Sequence, residues 1–196
     1  MDTERNTEVN DEILIRGFIK GSLEDFDLLY ERHKRSLYLY LSRFLPGDKA
    51  TTDDLFQQTW LKVIALLPRY EERERFPAWL MRIAHNLAMD HFRRMRRNAE
   101  ESFEDSMVER LPSASESPLQ GIQNEELGKA ISGAVAELPP ELREVFLMRQ
   151  SGIAFREIAD IQGCSINTAL ARMQYALKRL RKSLAGWEDN GKGGAK

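Results

Sequence analysis

The chain has 196 residues, a formal net charge of −2 and a single cysteine, Cys164. That length leaves room for one large or two small domains, each with its own core, while one cysteine excludes an internal disulfide and any multi-cysteine zinc site. No apolar run approaches the roughly 20 residues that span a bilayer, and the polar, acid-bearing stretch 1–10 is neither a secretory signal nor a transit peptide, so a cytoplasmic protein without membrane insertion is expected.

Strand patterns are nearly absent and helical periodicity is frequent, so the expected fold class is all-α. Asn10 can cap a short helix through Ile19 that ends at Gly21, and Ser22 can cap a longer one to about Leu45, where Pro46-Gly47 stops it. Thr51 or Thr52 starts a third helix reaching about Leu67. Pro77 suits the first turn of a fourth, running to about Arg97. Between 98 and 124 the apolar period fades while Glu, Ser and Pro accumulate, the composition of a flexible linker. A second helical domain spans 125–186. Its first helix ends before Leu138-Pro139-Pro140, its second covers Glu141–Gln150, and a disordered tail is expected over 187–196.

The charge total hides a segregation. Arg82–Arg97 holds five arginines against the single acid Asp90; Glu100–Glu126 holds eight acids against Arg110; Arg172–Lys182 holds five basic residues and no acid. A basic, acidic, basic order suits two modules facing nucleic acid, joined by a segment that avoids it.

The stretch Phe155–Met173 reads as a short helix, a tight turn and a second helix, the layout of a DNA-reading helix-turn-helix. Ala159 is small where two helices must cross, Gly163 can take the left-handed conformation that ends the first helix, and Ser165 is a natural N-cap for the second. Cys164 in that turn is expected to be a small packing side chain. Turning the second helix by about 100° per residue puts Ile166, Ala169, Met173, Ala176, Leu177, Leu180 and Leu184 on one inward face. Asn167, Ala171, Gln174, Tyr175, Lys178 and Lys182 fall opposite, flanked by Thr168, Arg172, Arg179 and Arg181.

Three stretches, in order, resemble the extracytoplasmic-function (ECF) sigma factors of bacterial RNA polymerase. Phe76-Pro77-Ala78-Trp79 through Phe92-Arg93-Arg94 is similar to their promoter-melting segment. Leu138-Pro139-Pro140-Glu141 through Met148-Arg149, with the helix-turn-helix after it, resembles their C-terminal domain. Asp53-Asp54-Leu55-Phe56 through Lys62-Val63 resembles their polymerase-docking helix. The resemblance implies a region 2 domain over 1–97 that binds the β′ clamp helices of core RNA polymerase and opens the −10 element. It also implies a region 4 domain over 125–186 that binds the −35 element as a duplex and touches the β flap. Promoter DNA and an anti-sigma factor are the further partners implied.

Site residues follow on that frame. For the −10 element they are Tyr70, Arg73, Arg75, Asn86, Asp90, Arg93, Arg94 and Arg97. Tyr70 offers a face on which an unstacked base can stack, or else an aromatic at the core edge. Asn86 matches the family's base-reading position, and Arg93, Arg94, Arg96 and Arg97, which close the fourth helix, suit phosphates or the helix C-terminal dipole. Phe76 and Trp79 are assigned to the core, and His85 and His91 to surface or packing roles.

For the −35 element the residues are Asn167, Thr168, Ala171, Arg172, Gln174, Tyr175 and Lys178. Many relatives carry a basic residue at the place of Leu170, a serine at Ala171 and an arginine at Tyr175. The amides of Asn167 and Gln174 suit adenine and Ala171 suits a thymine methyl, so an element unlike the common guanine-starting type is expected. Docking is assigned to Asp54, Gln57, Gln58 and Leu61. The family usually has a glutamate near Gln58, and the amide there implies a weaker or shifted contact.

No nucleophile–base–orienter grouping, phosphate-cradling glycine loop or metal cluster is legible, so neither a catalytic site nor a cofactor is expected. The alternative reading is a stand-alone helix-turn-helix regulator, against which the docking stretch argues.

Overall fold

A computed structural model describes residues 10–71, 75–101 and 125–191. The described residues are all-α: α1 (Asp11–Ile19), α2 (Leu23–Phe44), α3 (Lys49–Leu66) with a 3-10 turn (Leu67–Arg69), α4 (Phe76–Glu101), α5 (Glu125–Ala136), α6 (Pro140–Gln150), α7 (Phe155–Ile161) and α8 (Ile166–Gly191). They form two units, Met1–Leu41 with Ala50–Leu111 and Ser42–Lys49 with Pro112–Lys196. Arg73, most of the expected linker and the end of the expected tail lie outside the described residues.

In the first unit each helix buries one stripe. Phe76, Leu80, Ala84 and Ala88 of α4 recur every fourth residue, and all are buried, as a 3.6-residue period requires of a core-facing helix. Leu29, Leu37 and Leu41 form the same stripe on α2, with His33 in its middle. A buried imidazole needs a partner, and Asp11 at the start of α1 supplies it: His33 Nε2 lies 2.8 Å from Asp11 Oδ2, while Arg32 donates to Oδ1 at 2.5 Å.

Burial alone would raise the Asp11 carboxyl. The hydrogen bond and charge of His33, then those of Arg32, outweigh it and hold the group below its ordinary value of 3.8. A carboxylate depressed in the folded state stabilises above its unfolded pKa, and that contribution is lost as pH falls through the folded value. Asp11→Asn is therefore expected to lower the denaturation midpoint at pH 7, with the gap from wild type closing below about pH 4. A gap of equal size at both pH values would contradict this linkage.

The third helix starts at Lys49, earlier than Thr51 or Thr52, and Thr52 and Thr59 are both buried in it. The Thr59 hydroxyl is satisfied within the helix: it donates to the Leu55 carbonyl at 2.6 Å, one turn back. The fourth helix continues four residues beyond Arg97, to Glu101.

In the second unit α8 packs against α5, α6 and α7, and α6 against α7. Val145, Met148, Ile153, Ile158, Ala169 and Ala176 are buried between them. The last carbonyls of α5 have no helical partners, and Arg143 fills that role from α6. Its Nε donates to Val135 O at 3.2 Å, and its Nη2 donates to Leu138 O at 2.9 Å and to Ala136 O.

Candidate nucleic-acid and polymerase interfaces

The turn between α7 and α8 closes as a Schellman motif. Gly163 sits at φ 61°, Cys164 N–H donates to Ala159 O at 2.9 Å and Gly163 N–H to Asp160 O at 3.4 Å. Ala159 is buried at the crossing. Ser165 Oγ accepts from Thr168 N–H at 3.1 Å and lies 2.9 Å from the Thr168 hydroxyl. This is the N-cap bond that starts α8.

Ala169, Ala176 and Leu180 of α8 are buried, with Met173, Leu177 and Leu184 half-buried beside them. Ile166 departs from the expected inward face and is 46% exposed. It occupies the first helical position, where the Cα–Cβ bond leans toward the N-terminus, so its side chain overhangs the helix end instead of reaching the core. Asn167, Thr168, Gln174, Tyr175, Lys178, Arg179, Arg181 and Lys182 are exposed and Ala171 is half-buried.

Arg172 differs from the other cations of α8. It is half-buried, and its Nη1 donates to Gln162 Oε1 at 2.8 Å. Gln162 in turn donates to the buried Glu144 carboxylate at 2.8 Å. The relay Glu144–Gln162–Arg172 ties α6, the turn and α8 together, so part of this guanidinium's hydrogen-bonding capacity is used inside the protein. Residue type alone could not reveal that.

On α4, Asn86, Asp90, Arg93 and Arg97 recur at steps of four, three and four residues and so share one face, with Arg94 beside them. Asn86, Arg93, Arg94, Arg96 and Arg97 are exposed. Arg93 Nη1 donates to Asp90 Oδ1 at 2.6 Å, a surface pair that contributes little to stability. Tyr70, just after the 3-10 turn, is half-buried and packs edge-on against Trp79, ring centroids 4.9 Å apart, with Phe76 at 6.2 Å. The phenol thus stands at the core edge with part of its ring still accessible. Arg75 is exposed.

On α3, Asp54, Gln57, Gln58 and Leu61 share one face, and Gln58 Nε2 donates to Asp54 Oδ2 at 2.7 Å. Leu61 is 67% exposed and Ile64, one turn on, is exposed as well. Ile64 extends this face, though nothing in its residue type sets it apart from a core residue. Among the described residues no group of three or more His, Cys, Asp or Glu is placed to hold a metal. No helix there is long and apolar enough to cross a membrane.

Residues 29–98 match the family model for sigma-70 region 2, and residues 129–180 match that for sigma-70 region 4. The chain is 32% identical over 169 residues to the RNA polymerase sigma factor CarQ of Myxococcus xanthus, an alignment covering 85% of this chain and 93% of that protein. The chain belongs to the ECF sigma factors. Other members of the family show the same likeness. ECF RNA polymerase sigma factor SigE of Mycolicibacterium smegmatis is 29% identical over 85% of this chain, which spans 64% of that protein's length. The ECF RNA polymerase sigma-E factor of Escherichia coli is 28% identical, over 85% of this chain and 90% of its own length.

The fold of this chain is also seen in two solved structures. One is the sigma factor RpoE from Bartonella quintana in complex with the anti-sigma factor NepR (TM-score 0.71, 23% identity, 83% of this chain and 98% of that one). The other is CnrH in complex with the cytosolic domain of CnrY (TM-score 0.63, 22% identity, 90% and 97%). The chain is thus a member of a family of transcription initiation factors, all-α and built from sigma regions 2 and 4.

Proposed function

We propose that the chain binds core RNA polymerase in the cell interior and directs it to promoters whose −10 element it opens through the first unit and whose −35 element it reads through the second. The observation that carries this reading is the order of the two matched regions on one chain, 29–98 and 129–180, each holding an exposed cationic helix. Asp54, Gln57, Gln58, Leu61 and Ile64 of α3 are the polymerase-docking face. Asn86 and Asp90 read the opened strand beside Tyr70, and Arg75, Arg93, Arg94 and Arg97 hold phosphates, with Arg73 in the same role. Each phosphate neutralised releases a counterion, so promoter affinity falls steeply with salt.

On α8, Asn167, Thr168, Ala171, Gln174 and Tyr175 face base edges, while Arg172, oriented by its bond to Gln162, Lys178 and the later cations hold phosphates. An anti-sigma factor that covers the docking faces is the expected regulator; the similar sigma factor RpoE of Bartonella quintana is seen in complex with one, NepR. The chain is expected to co-elute with purified core RNA polymerase. A chain that binds duplex DNA yet never associates with core enzyme would instead be a stand-alone regulator.

A further inference from the structure

We infer that Ile166 and Leu170 read the 5-methyl groups of thymine in the major groove, so that methyl contacts select the duplex element bound by the second unit. This inference rests on the proposed DNA-reading role of α8 and adds two residues and one chemical criterion to it.

The exposed start of α8 presents two rows at four-residue spacing: Ile166, Leu170 and Gln174 in one, and Asn167, Ala171 and Tyr175 in the other. Ile166 is 46%, Leu170 39% and Tyr175 62% exposed. None of the six carries a charge. The nearest cation in sequence, Arg172, is half-buried and bonded to Gln162 Oε1 at 2.8 Å, with Cys164 Sγ at 3.6 Å. Lys178, Arg179, Arg181 and Lys182 lie farther along the helix.

Each base pair shows the major groove a different pattern. Guanine's two acceptors are taken by Arg or Lys, adenine's donor and acceptor by Asn or Gln, and thymine's methyl by an apolar side chain. The two rows supply two amides, three apolar groups and the phenol of Tyr175, and no cation, which matches A·T pairs and leaves guanine without its usual partner. The N-terminal residues of a recognition helix are those that reach base edges, and Ile166 and Leu170 occupy that end. Two aliphatic side chains left in water there gain by covering methyl groups. A DNA occupant is favoured over a protein by charge, since 166–182 contains five basic residues and no acid.

The test uses the full chain and a duplex recovered by its own selection from a random-sequence pool. That duplex is compared with a matched one carrying deoxyuracil in place of every thymine of the selected element. Affinity is expected to fall roughly three- to five-fold for each methyl contacted. Leu170→Ala and Ile166→Ala are expected to shrink that difference while leaving the thermal midpoint unchanged. Equal affinity for the two duplexes overturns the inference and leaves the DNA-reading role standing. So does a methyl effect that neither variant reduces, or a selected element without thymine. A selection that enriches no duplex overturns the DNA-reading role itself, and this inference with it.

Discussion

Ile158→Ala is expected to destabilise the helix-turn-helix unit by about 2–5 kcal/mol, the usual cost of emptying a fully buried aliphatic site. Ile158 is completely buried on α7, a helix of seven residues that contacts both α6 and α8. A helix so short owes its stability to packing and not to its own hydrogen bonds, so it cannot hold its place around a cavity. Small domains are stable by about 5–15 kcal/mol in total, and this loss removes a large share of that margin. Denaturant unfolding should show an early transition for the second unit, and duplex binding by α8 should fall with it. The exposed Leu170→Ala provides the contrast, with stability expected within about 0.5 kcal/mol of wild type. Equal effects from the two substitutions would contradict the placement of Ile158 in the core and Leu170 at the surface.

Leu61→Asp is expected to leave folding intact and to weaken association with core RNA polymerase by at least about 2 kcal/mol, roughly thirty-fold. Leu61 is 67% exposed at the centre of the face formed by Asp54, Gln57, Gln58 and Ile64, so its side chain contributes almost nothing to the core. An apolar residue in the middle of a polar docking face is where interface energy concentrates. A carboxylate there would be desolvated on binding without a partner of its own. Titration of core enzyme with labelled wild-type and variant chains reads the effect directly. Unchanged affinity would remove α3 from the docking surface.

The sequence and the structure agree most closely where the chain announces itself by backbone chemistry. Gly163, Ser165 and the small Ala159 specify a Schellman turn, an N-cap and a close crossing, and all three stand in those roles. The all-α class follows from periodicity, which survives any error in helix ends. Those ends drift where local signals compete: Thr52 reads as a cap yet is buried inside α3, which starts three residues earlier at Lys49.

Side-chain roles that depend on tertiary neighbours were the least legible. Arg172 counts as one of five cations in a sequence reading, yet a relay through Gln162 to Glu144 engages it. Ile166 reads as core by its angle, and its place at the helix end leaves it exposed. His33 gives no local sign that Asp11, 22 residues away, receives it. Tyr70 supported either of two roles by residue type, and its edge-on packing against Trp79 puts it at the core margin. The roles of His33 and Arg172 depend on contacts between different helices, which periodicity does not encode.

As proposed, this ECF sigma factor gives core RNA polymerase its choice of promoter. Run-off transcription measures this most directly: purified core enzyme, with and without the full chain, on a library of genomic fragments. Discrete transcripts that require the chain, start downstream of a shared pair of elements and disappear with Leu61→Asp are the predicted result. Transcription that is the same with and without the chain would show that it supplies no choice of promoter.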